Sequence, residues 1–156
     1  MTRRIGIIAD THDYFDPQIP TLFQDVDLIL HAGDVGARTI LHQLSRLAPV
    51  CAVRGNIDEG GACAHLPESL TCNVDQLTLY MTHIFTPPSA NASGDSPCGG
   101  QVVIFGHSHQ QLLEEREGVL YFNPASAGRK RFKEARSVGL LEIRDGHPEV
   151  CYLALQ

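Results

Sequence analysis

Val102-Val103-Ile104-Phe105-Gly106-His107-Ser108-His109 is the stretch from which the rest of this sequence is best read. Four apolar residues, most of them β-formers, run into a glycine and then into two histidines one residue apart. The pattern predicts a buried parallel strand ending in a tight turn that carries two imidazoles. In open α/β sheets, ligands gather at such carboxyl ends of strands. Alone, His107 and His109 read equally well as ordinary polar loop residues, since a short motif is a hypothesis until its context agrees. The test is whether other strand ends carry the same kind of side chain.

They do. Arg4 to Ala9 is a short apolar run that predicts a strand buried on both faces, and it ends in Asp10-Thr11-His12. Taken singly, Asp10 reads as a cap for the segment that follows. Pro17 to Gln24 predicts a short helix with Ile19, Leu22 and Phe23 on one face, and Val26 to Leu30 a second strand that ends in His31-Ala32-Gly33-Asp34. Thr39 to Leu47 has Ile40, Leu41, Leu44 and Leu47 at helical spacing. Val50 to Val53 then leads into Arg54-Gly55-Asn56-Ile57-Asp58. This β-α-β-α-β rhythm predicts a parallel sheet with crossover helices. Farther on, Ser69 to Asp75 and Gln76 to Thr82 read as an antiparallel pair or part of a meander, the second running into His83. Residues 86–100 are dense in Pro, Gly and Ser and predict a long surface loop. Val119 to Phe122 enters Asn123-Pro124-Ala125-Ser126, and Val138 to Ile143 with Glu149 to Leu155 predicts a closing hairpin about Asp145-Gly146.

With 156 residues, no internal repeat and no compositional break, one domain over 1–156 is expected. A net charge of -6 gives no footprint for nonspecific nucleic-acid or anionic-membrane binding. Any phosphate ester bound here needs local positive charge. Cys51, Cys63, Cys72, Cys98 and Cys151 are odd in number and widely spaced without a C-x-x-C, so neither a disulfide framework nor a structural zinc site is indicated. Asp10 interrupts the apolar run behind Arg3 and Arg4, leaving no segment of signal-peptide or membrane length. The expectation is a soluble, cytoplasmic protein.

Five strand ends thus carry Asp10 with His12, Asp34, Asn56, His83, and His107 with His109. Imidazoles, carboxylates and one amide, without thiolate, suit a pair of hard or borderline divalent cations. One carboxylate can bridge two ions about 3.5–4 Å apart, as two-metal hydrolases require.

Asp10-x-His12, Gly33-Asp34, Gly55-Asn56-x-Asp58, Thr82-His83 and Gly106-His107-x-His109 together resemble the signature blocks of the calcineurin-like metallophosphoesterases. The small single-domain bacterial and archaeal phosphodiesterases fit best, a group that also resembles the phosphoesterase-like subunit of retromer. The fold this implies is α/β (α+β): a four-layer β-sandwich of two mixed sheets flanked by helices. The resemblance further implies that Asp10, His12 and His109 hold one metal, that Asn56, His83 and His107 hold the other, and that Asp34 bridges, with catalysis centred on Asp34, Asn56 and His83. Two divalent ions, manganese first, with iron, zinc or nickel also suited, would then activate a hydroxide for in-line attack on phosphorus. The activity implied is that of a phosphodiesterase on a small phosphate ester, with no membrane partner, no nucleic acid expected and room for a homo-oligomer. The alternative is a protein-interaction scaffold on the same fold.

His31 and Asp58 read either as residues that orient ligands or waters, or as a satisfied loop histidine and a turn aspartate. The chain departs from the family where relatives place a proton-donating histidine after the block-three asparagine, since Ile57 stands here. It departs again where relatives read Thr-His-Gly-His, since Ile84 and Phe85 follow His83, and in the 86–100 loop, where relatives place a helix. The basic run Arg129-Lys130-Arg131, with Lys133 and Arg136 nearby, reads as a solvated surface, with contact to a phosphate or nucleotide substrate as the other reading.

Overall fold

The computed structural model describes residues 2–87, 101–131 and 133–156. Strand β1 (Thr2–Ile8) pairs parallel with β2 (Leu28–His31), which pairs parallel with β3 (Val50–Ala52). The closing hairpin of β9 (Ser137–Arg144) and β10 (His147–Ala154) joins the other side of β1, so the sheet has the order β10-β9-β1-β2-β3. Its turn places Asp145 at φ 52° and Gly146 at φ 80°, the paired positive values that match the twist of two antiparallel strands.

A second sheet contains β4 (Ser69–Val74), β5 (Leu77–Thr82), β6 (Val102–Ile104), β7 (Gln111–Arg116) and β8 (Val119–Pro124), in the order β4-β5-β6-β8-β7. Strands β5, β6 and β8 run parallel, with antiparallel strands at both edges. The sequence reading did not anticipate β7. Its sequence, Gln-Leu-Leu-Glu-Glu-Arg, has too few apolar residues to stand out, and the local signal is the turn Glu117-Gly118, both at positive φ (50° and 80°). Strand β2 begins two residues later than its apolar run because Asp27 is occupied with Arg4, donating its N–H to the Arg4 carbonyl and accepting the Arg4 N–H on its carboxylate.

Alternation along each strand sorts the core into layers. Ile5 and Ile7 point between the sheets, against Leu79, Met81, Ile104 and Phe122. Ile8 and Ile29 point outward, where they meet α1 (Ile19–Leu22) and α2 (Arg38–Ser45) through Ile19, Ile40 and Leu44. Helix α1 is shorter than the predicted Pro17–Gln24, and Pro20 sits in its first turn, where a missing N–H costs nothing. The outer face of the second sheet carries Val103, Phe105 and Tyr121 with Tyr80, Phe85 and Leu112, and no helix among the described residues. Most of the predicted surface loop, 88–100, lies outside the described residues. Cys51, Cys63, Cys72 and Cys151 are free thiols. No described helix is long and apolar enough to cross a membrane.

Arg136 corrects the sequence reading, which placed it beside a solvated basic run. It is buried, and its guanidinium pairs with Asp16 and donates to the carbonyls of Gly128 and Gln156. It thereby joins the loop after β1, the segment after β8 and the end of the chain. Removing one partner of a buried pair strands the other charge, at about 3–5 kcal/mol. Asp16→Asn is therefore expected to lower the unfolding free energy by about 3 kcal/mol at pH 7, as read by urea denaturation. Burial pushes the Asp16 carboxyl up, but the hydrogen bonds and charge of Arg136 together with the hydrogen bonds from Gln18 outweigh it, and the net shift is downward. The pair thus contributes fully above the unfolded carboxyl value of about 3.9, and the contribution disappears as pH falls through the folded one. The deficit of the variant should accordingly shrink toward zero in strong acid; a gap that stays constant with pH would contradict the assignment.

Candidate metal centre

Every parallel strand but β8 delivers one or more of the seven candidate ligands from its carboxyl end, and both sheets do so along one shared edge. Asp10 and His12 follow β1, Asp34 follows β2, Asn56 follows β3, His83 follows β5, and His107 and His109 follow β6. The loops that carry them are stitched together by backbone hydrogen bonds: Asp10 N–H to Gly33 O, His12 N–H to Asp34 O, and Gly106 N–H to His83 O, at 2.9, 3.0 and 2.9 Å. Asp10, His12, Asp34, His107 and His109 all have positive φ, between 46° and 73°. Such conformations cost about 1–3 kcal/mol each outside glycine and persist where the surroundings over-determine them, which points to a functional centre. Gly33, at φ 102°, has no room for a side chain, because a Cβ there would stand 2.6 Å from His83 Nδ1.

The structure brings all seven predicted side chains together. Asp10, His12 and His109 form one group of converging donor atoms, and Asp34, His83 and His107 form a second, each within 4.8 Å. Asp34 Oδ2 lies 3.4 Å from His12 Nε2 and 3.2 Å from His83 Nε2, between the two groups. Asn56 Oδ1 lies 3.1 Å from both His83 Nε2 and His107 Nδ1.

The donor set fits cations. His83 Nδ1 is 2.8 Å from the Ala32 carbonyl, which can only accept, so Nδ1 carries the proton and Nε2 presents a lone pair. That lone pair faces the oxygens of Asn56 and Asp34, which also present lone pairs. His109 repeats the arrangement: Nδ1–H donates to Glu134 Oε2 at 3.3 Å, and Nε2 faces Asp10 Oδ1 at 3.5 Å. Asp10 Oδ1 and His12 Nε2 are buried and have no hydrogen-bond partner. Acceptors crowded against acceptors are satisfied by positive charge placed among them. The same demand shows in the titration of the groups. Burial pulls His83 down, but the nearby carboxylates of Asp34 and Asp10 and the Ala32 carbonyl reverse it, and the net shift is upward. Burial pushes Asp10 up, but the imidazoles of His109, His12 and His83 gathered around it bring it down to about 2.

His31 and Asp58 do not touch the converging atoms. His31 Nδ1 accepts the Gly33 N–H at 3.1 Å, so its proton is on Nε2, which donates to Thr11 Oγ1 at 3.0 Å. Thr11 in turn donates to the Val35 carbonyl. Complete burial depresses the imidazole to about 4 and keeps it neutral. The Asp58 carboxylate accepts three backbone N–H groups, from Val35, Gly36 and Gly55 at 3.1, 2.9 and 2.8 Å, locking the Asp34 loop to the Asn56 loop.

Three further contacts escaped the sequence reading or were only partly seen in it. Glu134 fixes the His109 tautomer and lies in a basic run that gave no hint of it. Asn123 donates to Gly106 O and Ser108 Oγ, which props the histidine turn from below. Ser126 Oγ donates to the Asp10 carbonyl. The residues at which the sequence departs from the family pattern, Ile57, Ile84 and Phe85, are apolar. Ile57 is 42% exposed and Ile84 58% exposed at the mouth, while Phe85 stacks on Tyr121 at 5.9 Å. A cavity of about 720 Å³ lies elsewhere, between α2 and β3, and includes none of the seven side chains.

Paired Asp/His clusters on the common edge of two mixed sheets define a two-metal hydrolase. Residues 4–146 match the calcineurin-like phosphoesterase superfamily domain, and the chain belongs to that superfamily. It is 33% identical over 131 residues to a probable metallophosphoesterase of Methanothermobacter thermautotrophicus, covering 78% of this chain and 76% of the relative. It is 29% identical over 139 residues to a phosphodiesterase of Methanocaldococcus jannaschii, covering 78% and 82%. Among solved structures, vacuolar protein sorting 29 from Cryptosporidium parvum superposes with a TM-score of 0.72 at 17% identity, covering 99% of this chain and 98% of that one, a likeness of fold. With its ligand clusters intact, this chain is a metal-dependent phosphoesterase.

Proposed function

We propose that the chain hydrolyses phosphodiesters with a manganese pair, held on one side by Asp10, His12 and His109 and on the other by Asn56, His83 and His107, with Asp34 between them. The observation that carries this reading is the position of Asp34 Oδ2, within 3.4 Å of one imidazole from each group. Bound divalent cations supply Lewis-acid polarisation of the phosphoryl oxygens and an activated water. The chain's own residues do the rest. The Ile57 N–H holds Asp34 Oδ1 at 3.0 Å, which turns Oδ2 toward both groups. Ala32 and Glu134 fix the tautomers of His83 and His109, the outer contacts that orient metal-binding imidazoles. Two carboxylates against two dications leave a net positive pocket within an acidic chain.

Ile57 and Phe85 offer no proton to a departing alkoxide, which favours esters whose leaving group is stable as an anion. The Methanocaldococcus phosphodiesterase among the relatives points to the diester. The test is the metal-stripped protein reconstituted with manganese and assayed on bis(p-nitrophenyl) phosphate and p-nitrophenyl phosphate. Manganese-dependent turnover with the diester preferred by about tenfold or more in kcat/KM supports the reading, about 1.4 kcal/mol of discrimination. Turnover that survives chelation, or a preference for the monoester, contradicts it.

A further inference from the structure

Four of the chain's cations, Arg129, Lys130, Arg131 and Lys133, fall within five positions of a protein whose net charge is -6. The structure ties this segment to the metal centre at its root and at its tip. At the root, Gly128 N–H donates to Ser126 Oγ, which donates to the carbonyl of Asp10. The Arg129 guanidinium then lies 4.9 Å above the ring of Tyr14, two residues beyond His12. At the tip, Glu134 N–H closes a turn onto the Arg131 carbonyl, and the Glu134 carboxylate takes the His109 Nδ1 proton. Beyond it, Arg136 anchors the segment to Asp16. The segment is thus a rim on the Asp10/His12/His109 side of the cluster, with Arg129, Lys130, Arg131 and Lys133 exposed to solvent.

The opposite flank has a different character. The cleft beside Asn56 and His83 is lined by Ile84, Glu59 and Glu68, with Arg54 turned onto the Leu66 carbonyl and toward Glu68. Ile57 is exposed on the same flank. An anionic group attached to the reacting phosphate meets acid and hydrocarbon on that side and cations on the other.

We propose that the rim formed by Arg129, Lys130, Arg131 and Lys133 is a second anion subsite, and that the substrate is a small phosphodiester bearing a further phosphate group on the same molecule. The proposal rests on the phosphodiesterase reading above. The reacting phosphate sits at the cation cluster, and the second phosphate reaches the rim past His109. Exposed cations act on such a ligand through a field that salt screens over about 8 Å at physiological ionic strength, so the preference should be salt-sensitive.

The test compares thymidine 5′-(p-nitrophenyl phosphate) with and without a 3′-phosphate, using the full manganese-loaded chain and its Lys130→Ser/Arg131→Ser variant. In the natural protein the 3′-phosphorylated ester should show a KM lower by about tenfold at similar kcat in 50 mM salt. That ratio should fall several-fold at 0.3 M salt, and in the variant it should approach one. Equal KM values in the natural protein, or a ratio that the variant retains, would overturn the subsite. A binding measurement separates this outcome from failure of the parent reading. Calorimetric titration with thymidine 3′,5′-bisphosphate and thymidine 5′-monophosphate needs no turnover. If neither ester is cleaved, the phosphodiesterase reading falls. The subsite then stands if the bisphosphate binds about tenfold tighter than the monophosphate to the natural protein alone, and falls if the two bind equally.

Discussion

Asp34→Asn is expected to lower manganese-dependent turnover of bis(p-nitrophenyl) phosphate by about a thousandfold or more without loosening the fold. The substitution keeps the shape and the acceptor that holds the Ile57 N–H. It replaces the charged oxygen facing His12 and His83 by an amide nitrogen, a donor where the natural protein has an acceptor. With the cations removed by chelation, that donor faces His12 Nε2 and the His83 Nε2 lone pair at the 3.4 and 3.2 Å now spanned by Asp34 Oδ2. The acceptor conflict that a cation resolves in the natural protein is then resolved by hydrogen bonds. In chelator the variant should therefore melt at the same temperature as the natural protein or above it, while in manganese the natural protein gains stability by binding linkage and the variant gains less. A variant that unfolds readily in chelator would show that Asp34 serves the fold and not the cations.

Asp58→Ala is expected to do the reverse. Its carboxylate satisfies the N–H groups of Val35, Gly36 and Gly55, and Asp58 is 1% exposed. Each stranded buried donor costs about 1–3 kcal/mol, less where water enters the space, so a loss of about 3–5 kcal/mol in unfolding free energy follows. Against the 5–15 kcal/mol typical of a whole domain, about a fifth or more of the stability is lost. Asp58→Asn, which keeps one acceptor, should fall between the two. The Asp34 and Asn56 loops also lose their tie, so affinity for the second cation should drop together with the melting temperature. Urea denaturation and manganese titration of both variants check this, and an Asp58→Ala protein of natural stability would remove Asp58 from the frame of the site.

The centre was legible in the sequence because each ligand breaks an apolar run at a strand end. Asp10 after Ile-Gly-Ile-Ile-Ala is a buried carboxylate that needs a partner, and His107 after Val-Val-Ile-Phe-Gly turns out to solvent where the buried strand ends. The parallel run of β1, β2 and β3 followed from the same apolar stretches, whereas the two mixed sheets were implied only by the resemblance to the family. The sequence could not show contacts that only the tertiary fold makes. Glu134 stands 25 residues beyond His109 within a basic run, and its pairing depends on how the segment after β8 folds back. Arg136 looked like surface because local composition hides a buried partner 120 residues away. Edge strand β7 lacked an apolar face strong enough to register. His31 lay in plain view, but its service to Gly33 and Thr11 rests on a tautomer that only its neighbours define.

The most direct test of the account is a crystal of the protein soaked in manganese and measured for anomalous scattering. Two manganese peaks are predicted about 3.5–4 Å apart, one among Asp10, His12 and His109, the other among Asn56, His83 and His107, with Asp34 touching both. A single peak, or peaks that leave Asp34 in contact with only one ion or none, would contradict it.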